Sequence, residues 1–291
     1  MAKFTKLVRF LASDGKVYYG DAIGSGDARF AKYANIIEGD IFGSHTVTDK
    51  VIGIRKLLCP LAPTDISSIR CIGLNYSKHA VETNMPKPKS PILFYKPRGA
   101  AAGPTDPIVV PSMQQPPNCT VAAVDYECEL VVVIGKECKD VTQSEALDYV
   151  LGYSVANDVS QRDWQIKLGG GQWSVGKMCD GWAPFGPAIV PTSVIPDPQT
   201  LTIYTKVNGK LMQKENTSDM IFNVAQAISF FSQGTTLYPG DIILTGTPSG
   251  VASGFKNPPW LKHGDVVEIG LEKVGTILNK VEYEPFAKFK L

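Results

Sequence analysis

The chain has 291 residues, 44% of them hydrophobic and 20% charged, with a formal net charge of +1. That composition suits a globular protein of one large domain or two unequal ones; without a basic block it gives no reason to expect nucleic acid or an anionic membrane surface as partner. No apolar run approaches the ~20 residues that a bilayer span requires.

The opening stretch from Met1 to Phe10 scatters charges where a secretory signal needs its apolar centre, so export is not expected. A cytoplasmic placement is expected, with a mitochondrial one as the alternative. The terminal Phe289-Lys290-Leu291 half-matches a peroxisomal signal and is taken as chance. Cys59, Cys71, Cys119, Cys128, Cys138 and Cys179 include no C-x-x-C pair, which fits reduced core thiols better than a disulfide framework or zinc. With His45, His79 and His263 as the full complement, a several-histidine zinc site is hard to assemble.

Residues 1–62 read as a small N-terminal β-rich domain. Lys6 to Leu11 and Lys16 to Gly20 flank Ser13-Asp14-Gly15, a hairpin signal, and further strands are expected near Asn35–Ile41 and Ile54–Leu58. Cys59-Pro60-Leu61-Ala62-Pro63 is a stiff connector to the second domain, residues 63–291. There Ile69 to Leu74 reads as a buried strand, followed by Asn75-Tyr76 and a short helix carrying His79 and Glu82. Met85 to Pro91, rich in Pro and Lys, is an exposed loop. Helices are expected over Thr142–Leu151, capped by Thr142 with Glu145, and over Asp219–Phe231, capped by Ser218 or Asp219. Asn208-Gly209 marks a hairpin turn. Strands outnumber helices throughout, giving a β-dominated α+β fold.

The chemistry centres on Asp125-Tyr126-Glu127-Cys128-Glu129-Leu130, which runs into Val131-Val132-Val133-Ile134 and Gly135. Strand alternation puts Glu127 and Glu129 on one face and Cys128 on the other. Adjacent carboxylates repel, and a hard cation such as Mg²⁺, Ca²⁺ or Mn²⁺ would resolve the conflict; two glutamates on a wet edge strand would need none. Asp158, at the end of the strand Tyr153 to Ala156, is a third candidate ligand or simply a helix cap. His79 and Glu82, three apart on a helix, suit a general base held by a carboxylate, and equally a surface pair. Lys177, among Trp173, Val175 and Met178, either has an anionic partner or snorkels to solvent. His45 and His263 sit in turn-like surroundings and read as surface residues.

Five ordered motifs carry a family resemblance: Gly73-Leu74-Asn75-Tyr76-Ser77-Lys78-His79-Ala80-Val81-Glu82; Tyr126 to Leu130; Asn157-Asp158-Val159-Ser160-Gln161-Arg162-Asp163-Trp164-Gln165; Gly176-Lys177 with Pro184-Phe185-Gly186-Pro187; and Leu244-Thr245-Gly246-Thr247-Pro248-Ser249-Gly250-Val251. From about Pro63 to Val281 the chain resembles the fumarylacetoacetate hydrolase family, in particular its domain-containing subgroup with a short N-terminal domain. The resemblance implies a mixed β-sandwich roll, a homodimer, and Mg²⁺ (Ca²⁺ or Mn²⁺ in its place) on Glu127, Glu129 and Asp158. It implies His79 and Glu82 as the water- or proton-handling pair and Lys177 as a partner of substrate oxygens. Tyr76, Arg162, Gln165 and Thr247 fall at motif positions that contact substrate, and Thr83 to Pro91 at a lid. Arg98-Gly99-Ala100, Met178-Cys179 and Trp182 depart from the family pattern; Arg98 is a candidate partner for a second substrate carboxylate.

A 2-oxo or 1,3-dicarbonyl acid chelates a hard cation through two oxygens, and the cation with Lys177 would stabilise an enolate. Such a site serves three reactions. The first expectation is hydrolysis of the C–C bond of an acylpyruvate or related β-diketo acid, with His79 and Glu82 activating water. The alternative is decarboxylation of oxaloacetate or its keto–enol tautomerisation; a non-catalytic metal- or ligand-binding protein is the third.

Overall fold

The computed structural model describes residues 3–116 and 122–285; Cys119 and the terminal tripeptide discussed above lie outside them. Strands dominate, and among the described residues α-helix is confined to Ser77–Glu82 and Val224–Ser232. The larger sheet has Cys128–Ile134 near its middle, paired antiparallel with Val150–Asn157 on one side and Ile242–Leu244 on the other. Ile69–Gly73 and Ile92–Lys96 continue it beyond Ile242–Leu244. On the opposite flank Ala183–Val190 pairs with Leu7–Ala12 through Leu7 and Ile189, so the N-terminal strands extend the same sheet. A second sheet of five strands runs from Lys210–Asn216 through Thr202–Val207, Val266–Leu271 and Gly275–Tyr283 to Ile108–Val110. The turn Asn208-Gly209 has positive φ at both residues, 52° and 80°, as a tight hairpin between twisted strands requires.

The valine run explains why Cys128–Ile134 lies inside. Leu130, Val132 and Ile134 pack with Ile203, Ile269 and Ile277 between the two sheets, whereas Val131 and Val133 join Leu7, Ile69 and Phe94 on the other face. A strand buried on both faces needs apolar side chains at odd and even positions alike, which is what the run supplies.

Two helices depart from the sequence reading. In the first, Thr142 keeps its capping bonds, since Glu145 Oε2 accepts from Thr142 N at 3.1 Å and from Thr142 Oγ1 at 2.6 Å. Only Ala146–Tyr149 winds, as a 3-10 turn, because Gly135 N–H takes the Tyr149 carbonyl at 2.7 Å and Val150 pairs with Ile134. Sheet pairing of a β-branched residue overrides local helix preference here. In the second, the helix starts at Val224 with Asn223 as cap, its Oδ1 accepting from Gln226 N at 2.8 Å while Gln226 Oε1 accepts from Asn223 N at 2.9 Å. Ile221 N–H and Phe222 N–H are already committed to the main-chain and side-chain oxygens of Asn75, each at 2.8 Å. His45 is buried rather than on the surface; its Nε2 accepts from Lys3 N at 3.2 Å, and its ring centroid lies 5.6 Å from that of Phe4.

Candidate active site

Strand register assembles the acidic cluster. Cys128 stands opposite Asn157, and Asp158 N–H donates to the Glu127 carbonyl at 2.9 Å, so Asp158 emerges beside the glutamate pair. Ligand oxygens of Glu127, Glu129 and Asp158 all lie within 4.8 Å of one another, and all three residues are buried. Three cations answer them. Lys177 Nζ donates to Glu127 Oε2 at 3.0 Å, to Asp158 Oδ2 at 2.7 Å and to Ser160 Oγ at 2.6 Å, with the Phe94 ring centroid 4.7 Å away. Arg162 donates through Nη2 to Glu127 Oε1 at 2.6 Å and through Nε to Asp125 Oδ2 at 2.9 Å. Lys96 Nζ donates to the carbonyls of Lys177 and Val159 and stands 2.7 Å from Asp158 Oδ1.

Burial and charge act differently on the two glutamates. Burial pushes the Glu129 carboxyl well above its ordinary value, and Asp158 and Glu127 add to the shift. Burial also acts upward on Glu127, but the charges of Arg162 and Lys177 outweigh it and hold that group at about 2. Lys177 stays above the ordinary lysine value because Asp158 and Glu127 more than offset its desolvation. Asp158 Oδ1, although close to Lys96, accepts no hydrogen bond in a sound direction and is a buried acceptor without one. An all-oxygen, buried, converging donor set with an uncommitted lone pair fits a hard divalent ion.

His79 and Glu82 occupy the helix Ser77–Glu82, with His79 Nδ1 2.9 Å from Glu82 Oε2. Glu82 Oε1 accepts from Gly250 N at 2.8 Å. Nδ1 thereby carries the ring proton toward Glu82, which leaves Nε2 as the basic nitrogen, and Nε2 has no hydrogen bond among the described residues. A cavity of about 290 Å³, close to the lower end of the ~300–1,000 Å³ usual for ligand sites, brings His79 together with Glu127, Glu129 and Lys177. Its remaining wall is largely apolar, including Ile72, Met85, Phe94, Ile166 and Trp173.

Of the other residues expected here, Arg162, Gln165 and Thr247 line this cavity, and so do Thr83 and Met85 at the start of the expected lid. Two others are not among the residues lining it. Tyr76 is buried in the core between the sheets; its backbone bridges Met220, and its hydroxyl has no hydrogen-bond partner among the described residues. Arg98 is exposed on the turn Arg98–Ala100, past Pro97 and beyond the inward positions Phe94 and Lys96, and does not line the cavity.

Sequence reasoning missed Asp125 and Lys96. Asp125 is fully buried and accepts from Arg162, from Ala252 N at 2.6 Å and from Ser253 N at 3.0 Å. The two-residue period that paired Glu127 with Glu129 extends to Asp125, and the same period links Lys96 to buried Phe94; both were available signals.

Fold and site together define a class: a β-rich protein whose buried carboxylate cluster faces a carboxylate-held histidine across a small-molecule cavity. The family model for the fumarylacetoacetate (FAA) hydrolase C-terminal domain matches residues 68–282. The chain is 46% identical over 226 residues to "Oxaloacetate tautomerase fahd2, mitochondrial" of Xenopus laevis, covering 78% of this chain and 68% of that protein. It is 45% identical over 222 residues to "Oxaloacetate tautomerase FAHD2A, mitochondrial" of Homo sapiens, covering 76% and 68%. Among solved structures it resembles 2-hydroxyhepta-2,4-diene-1,7-dioate isomerase from Mycobacterium marinum, with a TM-score of 0.80 and 35% identity over 96% of this chain and 99% of that one. The chain belongs to the fumarylacetoacetate hydrolase family and is an enzyme of that family.

Proposed function

We propose that the protein interconverts the keto and enol forms of oxaloacetate. The observation that carries this reading is the level of identity, sustained across most of the chain, to relatives named oxaloacetate tautomerases. It takes the place of the C–C hydrolase expected first from the sequence. A divalent ion on Glu127, Glu129 and Asp158, with Mg²⁺ as our proposal, would supply Lewis acidity toward two oxygens of the 2-oxo acid.

The chain's own residues do the rest. His79 Nε2 takes the proton from the carbon between the two carbonyl-bearing positions, and Glu82 holds Nδ1–H and stabilises the imidazolium that forms. Returning that proton to carbon or to the enol oxygen completes either direction, so no water is consumed. Lys177 and Arg162 set the field at the acidic cluster, and Gln165 and Thr247 offer hydrogen bonds from the cavity wall. Ile72, Phe94 and Trp173 give the developing enolate an apolar wall with little room for bulk water.

The test mixes the protein and Mg²⁺ with freshly dissolved enol oxaloacetate and, separately, with acetylpyruvate, while enol absorbance and released CO₂ are followed. Accelerated ketonisation without CO₂ release is expected; turnover of acetylpyruvate in preference to oxaloacetate would restore the hydrolase. His79→Ala should abolish tautomerisation and leave Mg²⁺ affinity unchanged by calorimetry. We also propose a homodimer, testable by light scattering. A mitochondrial placement replaces the cytoplasmic expectation by analogy with the same relatives, testable by fractionation.

A further inference from the structure

The segment that follows Thr245 touches three acidic side chains through its backbone. Gly246 N–H donates to Glu129 Oε2 at 2.6 Å, Gly250 N–H to Glu82 Oε1 at 2.8 Å, and Ala252 and Ser253 N–H to Asp125. Asp125 in turn holds Arg162 against Glu127. One loop therefore contacts the acidic cluster at Glu129, the guanidinium anchor at Asp125 and the carboxylate that orients His79. Its backbone can approach Glu82 so closely because a side chain is missing: a Cβ on Gly254 would stand 2.6 Å from both Cδ and Oε1 of Glu82. Gly250, at φ +100°, has no room for a Cβ against the Met212 carbonyl 2.2 Å away.

We propose that Gly250 and Gly254, anchored through Asp125, form a backbone cradle that positions Glu82 and so sets the tautomer and aim of His79. The inference deepens the proposed reaction and rests on its use of His79 as base. The cradle works by both contact and exclusion. The Gly250 N–H takes one carboxylate oxygen and leaves the other for His79 Nδ1, while the bare Cα of Gly254 leaves space for the carboxylate in that rotamer. Gly254 is not part of the carboxylate cluster and, unlike its neighbour Ser253, does not itself line the cavity, so it is a positioning residue.

Gly254→Ala is the direct test. Gly254 is exposed and has no positive φ, and the three atoms nearest the added methyl all belong to the movable end of Glu82, so the variant should remain folded. Nitrogen-15 spectra of the imidazoles, simple to assign with three histidines in the chain, should show His79 losing its single Nδ1–H form and becoming a mixture of tautomers. That readout needs neither Mg²⁺ nor turnover, so it stands even if oxaloacetate proves not to be the substrate. For tautomerisation, kcat should fall on the order of 100-fold, the scale of a misplaced catalytic group, with KM and Mg²⁺ affinity unchanged. In a Glu82→Gln background the same alanine should cost nothing further. A retained Nδ1–H signature in Gly254→Ala, losses that multiply with those of Glu82→Gln, or weakened Mg²⁺ binding would each overturn the proposal.

Discussion

Removing the Lys177 ammonium should destabilise the metal-free protein and strengthen its hold on a divalent ion. Lys177 is buried, with two carboxylate partners and the Ser160 hydroxyl within 3.0 Å. Loss of one member of a buried charge group costs ~3–5 kcal/mol, mostly because the remaining charges lose their compensation. Here Lys96 still faces Asp158 and Arg162 still binds Glu127, so Lys177→Met belongs at the lower end, about 3 kcal/mol. For a chain of this size that corresponds to a fall in Tm of roughly 5 °C. The same cation competes with a divalent ion for Glu127 and Asp158, so its removal should tighten ion binding and enlarge the Tm rise that Mg²⁺ produces. Thermal unfolding of both proteins in a chelator and in excess Mg²⁺ measures all four quantities. A Lys177→Met Tm in chelator equal to wild type, or a smaller Mg²⁺-induced rise, would refute the reasoning.

Glu129 should link ion binding to pH. Burial and its anionic neighbours raise its pKa above the unfolded value, so the stability it contributes is present below the unfolded pKa near 4.5 and lost as pH rises through the folded one. An ion would displace that proton: calorimetry in buffers of different ionisation enthalpy should show proton release on Mg²⁺ binding, weaker affinity at lower pH, and loss of the release in Glu129→Gln. Glu127 has the opposite sign. Its folded pKa of about 2 lies below 4.5, so its contribution is present above pH 4.5 and fades as pH falls toward 2, which acid unfolding of Glu127→Gln against wild type would reveal. Gly73→Ala places a Cβ 2.4 Å from the Trp173 ring, which packs on Phe94 in the cavity wall. KM should rise several-fold while Mg²⁺ affinity holds; unchanged KM would mean that Trp173 does not shape the bound substrate.

What was legible in the sequence follows the reach of its regularities. A two-residue period put Glu127 and Glu129 on one face, a three-residue helical step paired His79 with Glu82, and the end of an apolar strand pointed to Asp158. Each of these is local, and the sheet needed only to bring Val150–Asn157 beside Cys128–Ile134 for them to converge. Local rules also mislead where tertiary pairing intervenes. Thr142 and Glu145 make the bonds of a capping box, yet the helix they should start gives way to a strand once Val150 meets Ile134. Arg98 looks like a substrate contact only until the strand before it is seen to end at Lys96.

The least legible layer is held by main-chain donors. Asp125 and Ala252 are 127 positions apart, and Glu82 and Gly250 are 168 apart. An N–H group carries no residue identity, so no pattern of side-chain types could have joined them. What the sequence does carry is the absence of side chains where backbone must approach a carboxylate. Gly246 lies beside Asn75 and within reach of Glu129, Gly250 beside Met212 and Glu82, and Gly254 beside Glu82. A Cβ would collide with Asn75 at Gly246, with the Met212 backbone at Gly250 and with the Glu82 carboxylate at Gly254. The spacing Gly246, Gly250, Gly254 therefore reads as three close approaches, the last of them to the carboxylate on which the orientation of His79 depends.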